Sequence, residues 1–218
     1  MAIVPKSSEK MLFIGDSITD SGRCTTERPY GSGYVKIFRD MLIAREPKKQ
    51  LEIINKGTSG NSVRDLCNRW SDDVLYFKPE WLFVKIGIND LLCFLQRTEG
   101  CYPVEKFKEI YDEILDRTIN FLPNINILLI TPFYISRDTA AASFRMQILE
   151  ILPYYITAVR EMSEKYNTRL VKTHDVFQNL LKHYDSDTFC QEPIHPNQTG
   201  HQVIAEEIYQ ALSRNCGE

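Results

Sequence analysis

No stretch of the 218-residue chain approaches the roughly 20 consecutive apolar residues of a membrane-spanning helix. Charge of one sign is missing too. The 26 basic and 29 acidic side chains leave a net charge of −3, so there is no basic footprint for nucleic acid or for an anionic membrane surface. Residues 1–10 are polar and lack the apolar centre of a secretory signal. They read as a flexible lead-in to a cytoplasmic protein, although a chain trimmed of a leader would look the same. Cysteine is present without a pattern. Cys24, Cys67, Cys93, Cys101, Cys190 and Cys216 form no C-x-x-C pair and have no zinc-type spacing with a histidine. They are expected to be reduced core or surface thiols, and no metal is indicated. A Walker lysine and a G-x-G-x-x-G run are both absent, which argues against nucleotide binding.

What is present is an ordinary globular composition, 43% hydrophobic and 25% charged, at a length that suits one domain over residues 1–218. Short apolar runs at 11–14, 51–55, 81–86, 125–130 and 169–172 read as strands. Amphipathic stretches at 33–44, 62–76, 104–121, 145–166, 176–183 and 198–213 read as helices, with Pro153 either kinking the fourth or marking its start. Strands alternating with helices predict right-handed βαβ units: an α/β fold of three α/β/α layers around a parallel sheet of about five strands. Ligands of such sheets bind beyond the carboxyl ends of the strands. Four loops fall there: Gly15-Asp16-Ser17, Gly57 to Asn61, Gly87 to Asp90, and Thr131 to Tyr134.

Ser17 at a strand end can point its hydroxyl into that cleft and present its own N–H to a developing oxyanion. The local alternative is a helix cap beside Asp16. A serine nucleophile needs a base, and the chain has only four histidines. His183 lies in a polar helix, His174 follows the last strand, and His201 sits one turn into the final helix as a packing or capping residue. His195 lies in a loop ending at Pro196, with Asn197 placed to cap the helix that follows. Glu192, three residues earlier, can accept from the imidazole Nδ1–H and fix its tautomer; Asp185 and Asp187 compete for that role. Gly60 offers a backbone N–H and Asn89 a side-chain amide for an oxyanion hole, although both residue types are common in turns. Phe133, Tyr134 and Arg137, after the fourth strand, either line a substrate pocket or pack the sheet edge.

These residues resemble the GDSL/SGNH hydrolase family. Gly15-Asp16-Ser17-Ile18-Thr19-Asp20 resembles its first block, with isoleucine in place of leucine. Gly60 in Asn55 to Asn61 resembles the second, Gly87-Ile88-Asn89-Asp90 the third, and Glu192-Pro193-Ile194-His195-Pro196 the last. The four blocks occur in order along nearly the whole chain. The resemblance implies a flavodoxin-like fold, Ser17 as nucleophile, His195 as base, and oxyanion donors from Ser17 N, Gly60 N and Asn89. Asp16 and Asp90 would support the site from behind, and no cofactor is implied. The family's usual aspartate is Glu192 here, and the extra methylene displaces the carboxylate by about one bond length, a shift of the size that can cost activity.

The expected function is a serine esterase acting through an acyl-enzyme, on a small-molecule ester with a short acyl group, such as acetyl, on a sugar or similar polar alcohol. A lysophospholipase or thioesterase is the alternative within the family. A ligand-binding protein or a flavin-binding electron carrier is the non-hydrolase alternative. An apolar helix face could serve a homo-oligomer or the core; periodicity does not separate the two.

Overall fold

The computed structural model describes residues 5–97, 100–138 and 140–213. Five strands form one all-parallel sheet: β1 Lys10–Gly15, β2 Glu52–Gly57, β3 Trp81–Lys85, β4 Asn126–Ile130 and β5 Arg169–Val171. Their spatial order is β2-β1-β3-β4-β5, the flavodoxin-like arrangement, with its topological switch point between β1 and β3. The register is continuous: Phe13 lies beside Asn55 on one side and Phe83 on the other.

Among the described residues, eight α-helices connect and cover the strands. They are α1 Ser17–Asp20, α2 Tyr34–Arg45, α3 Val63–Trp70, α4 Ile88–Gln96, α5 Val104–Phe121, α6 Phe144–Lys165, α7 Thr173–Leu180 and α8 Gln198–Ser213. α2 packs on α8, while α3, α5 and α6 pack in series. Right-handed crossovers that run outward from β1 in opposite directions put these two groups on opposite faces of the sheet.

The strands are apolar on both sides because both faces are covered: Met11 to Ile14 and Leu82 to Val84 have no exposed surface. On the α2 face, Phe13 stacks on Phe83 at 4.2 Å and meets Phe38 edge-on at 5.5 Å, each such pair adding about 1 kcal/mol beyond its burial. On the other face, Trp70 of α3 donates its indole N–H to Thr118 of α5 at 2.8 Å. The Ser62/Asp65 capping box starts α3, which runs on as a π-helical turn over Ser71–Leu75; the two together account for the predicted helix over 62–76.

Several expectations change. The Gly87 to Asp90 loop opens a helix instead: α4 starts at Ile88 and runs to Gln96, although Asn89-Asp90 after Gly87 has turn-like chemistry. α6 passes through Pro153 without starting there, its first turn being capped by Ser143, which accepts from Met146 N at 3.0 Å. The expectation of reduced thiols fails at Cys93 and Cys101, which form a disulfide across the α4–α5 connection with Cα atoms 5.5 Å apart. The sequence carries no signal for a pairing set by the return of that loop. Cys24, Cys67 and Cys190 are free thiols, and Cys216 lies outside the described residues. Of the lead-in read as flexible, residues 1–4 lie outside the described residues; beyond them, Pro5 O accepts from Lys49 Nζ at 2.7 Å and Glu9 accepts from the Trp81 indole at 2.8 Å.

Candidate active site

Two glycines bring the first loop close to the sheet. A Cβ on Gly15 would stand 2.3 Å from the Lys85 carbonyl, and one on Gly57 would stand 2.2 Å from Asp20 N. Without side chains there, α1 sits against the carboxyl ends of β1 and β2. Asp16 caps this turn: its carboxylate accepts from Ile18 N at 3.0 Å and its carbonyl from Thr19 N and Asp20 N. Among the described residues nothing accepts from Ser17 N, which remains a free donor beside its own hydroxyl.

The Ser17 Oγ lies 2.8 Å from His195 Nε2, although 178 residues separate them. The other ring nitrogen, Nδ1, meets Glu192 Oε1. The same oxygen accepts from His195 N at 2.8 Å, and Oε2 accepts from Ile194 N at 3.0 Å. The glutamate thus folds its own loop around the imidazole, and the extra methylene is taken up in that turn. Neither Asp185 nor Asp187 offers its carboxylate to the ring: Asp187 contributes its carbonyl to Asn197 Nδ2 at 3.3 Å. The loop is held from outside by Ile135 N donating to Pro193 O at 2.8 Å and by Asn197 N donating to Phe189 O at 2.8 Å. Asn197 Oδ1 accepts from Gly200 N at 3.1 Å, the capping role expected for it.

Gly60 follows β2 with φ +80°, a backbone conformation that favours glycine, and a Cβ there would meet nothing within 4 Å. Its face is therefore open to a substrate. Asn89, in the first turn of α4, donates one Nδ2 hydrogen to Asn61 O at 2.9 Å, leaving the second free. Asp90 points the other way, accepting from Val63 N at 3.0 and 3.2 Å to cap α3. Burial pushes its carboxyl up to about 7, against the bond from Val63 that favours the charged form.

The remaining histidines take structural places. His201 is 7% exposed and accepts from Tyr34 N at 3.2 Å, satisfying an orphan donor at the start of α2. Burial, with Lys85 and His195 nearby, lowers it to about 4 and keeps it a neutral acceptor. His174 accepts from Tyr134 N at 3.4 Å, and His183 is exposed. Of the three candidate pocket residues, Phe133 is fully buried against Phe177, and Tyr134 is 4% exposed. Arg137 donates to Leu181 O at 2.9 Å, tying the loop after β4 to the end of α7. Phe133 in particular belongs to the core, because β4 runs on as buried chain past its last ladder pair.

Sequence reading passed over Lys85. It lies in β3 with 1% exposure, and its ammonium sits 3.0 Å from Asp16, which has no exposed surface. Burial pulls the Lys85 pKa down while Asp16 pushes it back up. A lysine inside an apolar strand was the available signal, since a buried cation requires a partner.

A serine hydroxyl on a carboxylate-oriented imidazole, flanked by amide donors at three strand ends, defines a serine ester hydrolase on a flavodoxin-like sheet. The chain belongs to the GDSL-like Lipase/Acylhydrolase family, whose model matches residues 13–203, and it is a carboxylic ester hydrolase. It is 35% identical to the acetylxylan esterase of Geobacillus stearothermophilus, with 94% of each chain covered. The solved structure of an acetylxylan esterase from that organism superposes with a TM-score of 0.85 at 30% identity over 96% of each chain. An alpha/beta hydrolase enzyme from the metagenome of Lake Arreo, Spain, superposes at 0.87 with 32% identity, over 97% of this chain and 98% of that one. The structures of the Geobacillus esterase include catalytic mutants in which a serine, an aspartate or a histidine is replaced by alanine. Among the described residues no helix is long and apolar enough to cross a membrane.

Proposed function

We propose that the protein removes short acyl groups, acetyl above all, from a carbohydrate or similarly polar alcohol, with Ser17 as nucleophile, His195 as base and Glu192 as the orienting carboxylate. The observation that carries this reading is the 2.8 Å contact between Ser17 Oγ and His195 Nε2, with Glu192 on the opposite ring nitrogen. His195 takes the Ser17 proton as Oγ attacks the ester carbonyl. The tetrahedral oxyanion accepts from Ser17 N, Gly60 N and the free Asn89 Nδ2 hydrogen. His195 then returns the proton to the departing alkoxide, and water repeats the sequence to release the acid. Two features support a polar alcohol. The Geobacillus relative is named an acetylxylan esterase. Beside His195 lies a groove of about 560 Å3 lined by Ser21, Ser32, Gln191, Asn197 and Gln198, which offers hydroxyls and amides to a polyhydroxylated leaving group.

The test is hydrolysis of p-nitrophenyl acetate and of acetylated xylose by wild type and Ser17→Ala. Turnover by wild type with a loss of at least about 1,000-fold in the variant is expected. Full turnover by Ser17→Ala would refute the nucleophile. A nitrophenyl ester series with activity rising from acetate to decanoate would replace the short-acyl reading with a lipase or lysophospholipase one.

A further inference from the structure

We propose that Arg69 is a positioning residue for the reaction: its guanidinium spaces the loops that present the nucleophile and the oxyanion donors. The inference rests on the site reading above and adds a residue that touches no substrate. Arg69 lies on α3, and with Asp73 it makes an (i, i+4) ion pair at 2.6 Å. Such pairs ordinarily do no more than support a helix surface. Here three of the four bonds from the guanidinium leave the helix. Nε donates to Asn61 Oδ1 at 2.7 Å, Nη1 to Lys56 O at 2.9 Å, and Nη2 to Gly15 O at 3.2 Å.

Each acceptor belongs to a different part of the site. Gly15 ends β1, two residues before Ser17. Lys56 is near the end of β2, four residues before Gly60. Asn61 follows Gly60 directly, and its carbonyl is the acceptor that holds the Asn89 amide at 2.9 Å. One planar, rigid fork therefore sets the spacing between the Ser17 loop and the Gly60 loop and, through Asn61, the direction of the Asn89 amide. The side chain is 19% exposed, so these bonds are shielded from competing water. Lysine places one compact ammonium on a flexible stem. It can retain the pair with Asp73, but it cannot span three carbonyl and amide oxygens in fixed geometry.

The test compares wild type with Arg69→Lys, Asn61→Ala and the double variant in p-nitrophenyl acetate kinetics, with thermal midpoints measured alongside. Arg69→Lys is expected to stay folded, with kcat about 10- to 100-fold down and KM within about threefold, the pattern of donors misplaced for the transition state. Asn61→Ala leaves the other bonds of the guanidinium intact and gives a smaller loss in the same direction. The double variant falls no further than Arg69→Lys, because both changes break one line of contacts. Arg69→Lys with kcat within threefold of wild type overturns the proposal, and so do losses that multiply in the double variant. A fall in thermal midpoint with unchanged kcat likewise assigns Arg69 to stability alone. If wild type neither turns over the ester nor labels at Ser17 with a fluorophosphonate, the site reading and this inference fall together. Active wild type beside unimpaired Arg69→Lys removes this inference alone.

Discussion

Glu192→Gln keeps the length of the side chain and one oxygen, for His195 N and the imidazole Nδ1–H; it removes the charge and the bond that Oε2 accepts from Ile194 N. In the first half-reaction the imidazole becomes imidazolium, and a carboxylate in contact with Nδ1 stabilises it. At an effective dielectric constant near 20 such a pair is worth about 4 kcal/mol. The two side chains are 47% and 54% exposed, so solvent screening brings this to about 2 to 3 kcal/mol, roughly 30- to 150-fold in kcat. That lies well below the roughly 10,000-fold worth of a fully buried triad carboxylate. Glu192→Ala should lose more, because the bond to His195 N and the acceptor on Nδ1 go as well. The assay is saturating p-nitrophenyl acetate turnover, with folding checked by thermal midpoint. If both variants run within threefold of wild type, Glu192 does not orient His195, and the third member of the triad must be sought elsewhere.

Two further outcomes concern the buried charges behind the site. Lys85→Met leaves the Asp16 carboxylate buried without its cation and should cost about 3 to 5 kcal/mol in urea unfolding; pairing it with Asp16→Asn should recover much of that, and equal losses in the single and double variants would refute the account. Asp90 titrates near 7 in the folded protein against 3.8 in the unfolded chain, so the folded state holds its proton more tightly. The stability this confers is complete below about pH 4 and is lost as pH rises through 7, by about 4 kcal/mol at most. The stability of Asp90→Asn relative to wild type should therefore rise between pH 4 and 8, and parallel curves would show that Asp90 does not carry the effect.

The element order was legible because each strand is buried on both faces and so stands out as an apolar run. The helix over 104–121 matches α5 residue for residue for a related reason: its apolar face repeats at helical spacing against α3 and α6. The first turn of α4 was hidden because Asn89 and Asp90 carry turn chemistry while serving two different partners, Asn61 and Val63. Three blocks of the site were readable as residue types at strand ends, and the fourth as an acid three residues before a histidine, just ahead of the last helix. The Cys93–Cys101 disulfide and the core position of Phe133 were not, since each depends on where a loop travels after its element ends.

The sequence by itself determined the fold class, the loops that carry the chemistry, and the candidacy of Ser17, Glu192 and His195, because periodicity and strand-end placement are local properties of a chain. Only the tertiary structure decided that Glu192, and neither Asp185 nor Asp187, meets the imidazole, that Lys85 pairs with Asp16 beside Ser17, and that Arg69 joins the end of β1 to β2 and the loop that follows it. The last two are contacts between residues up to 69 positions apart along the chain, set by how the β1, β2 and β3 ends converge at the switch point, whereas the Glu192 contact is set by the turn of its own loop. No pattern along the sequence encodes such a distance until the sheet has formed.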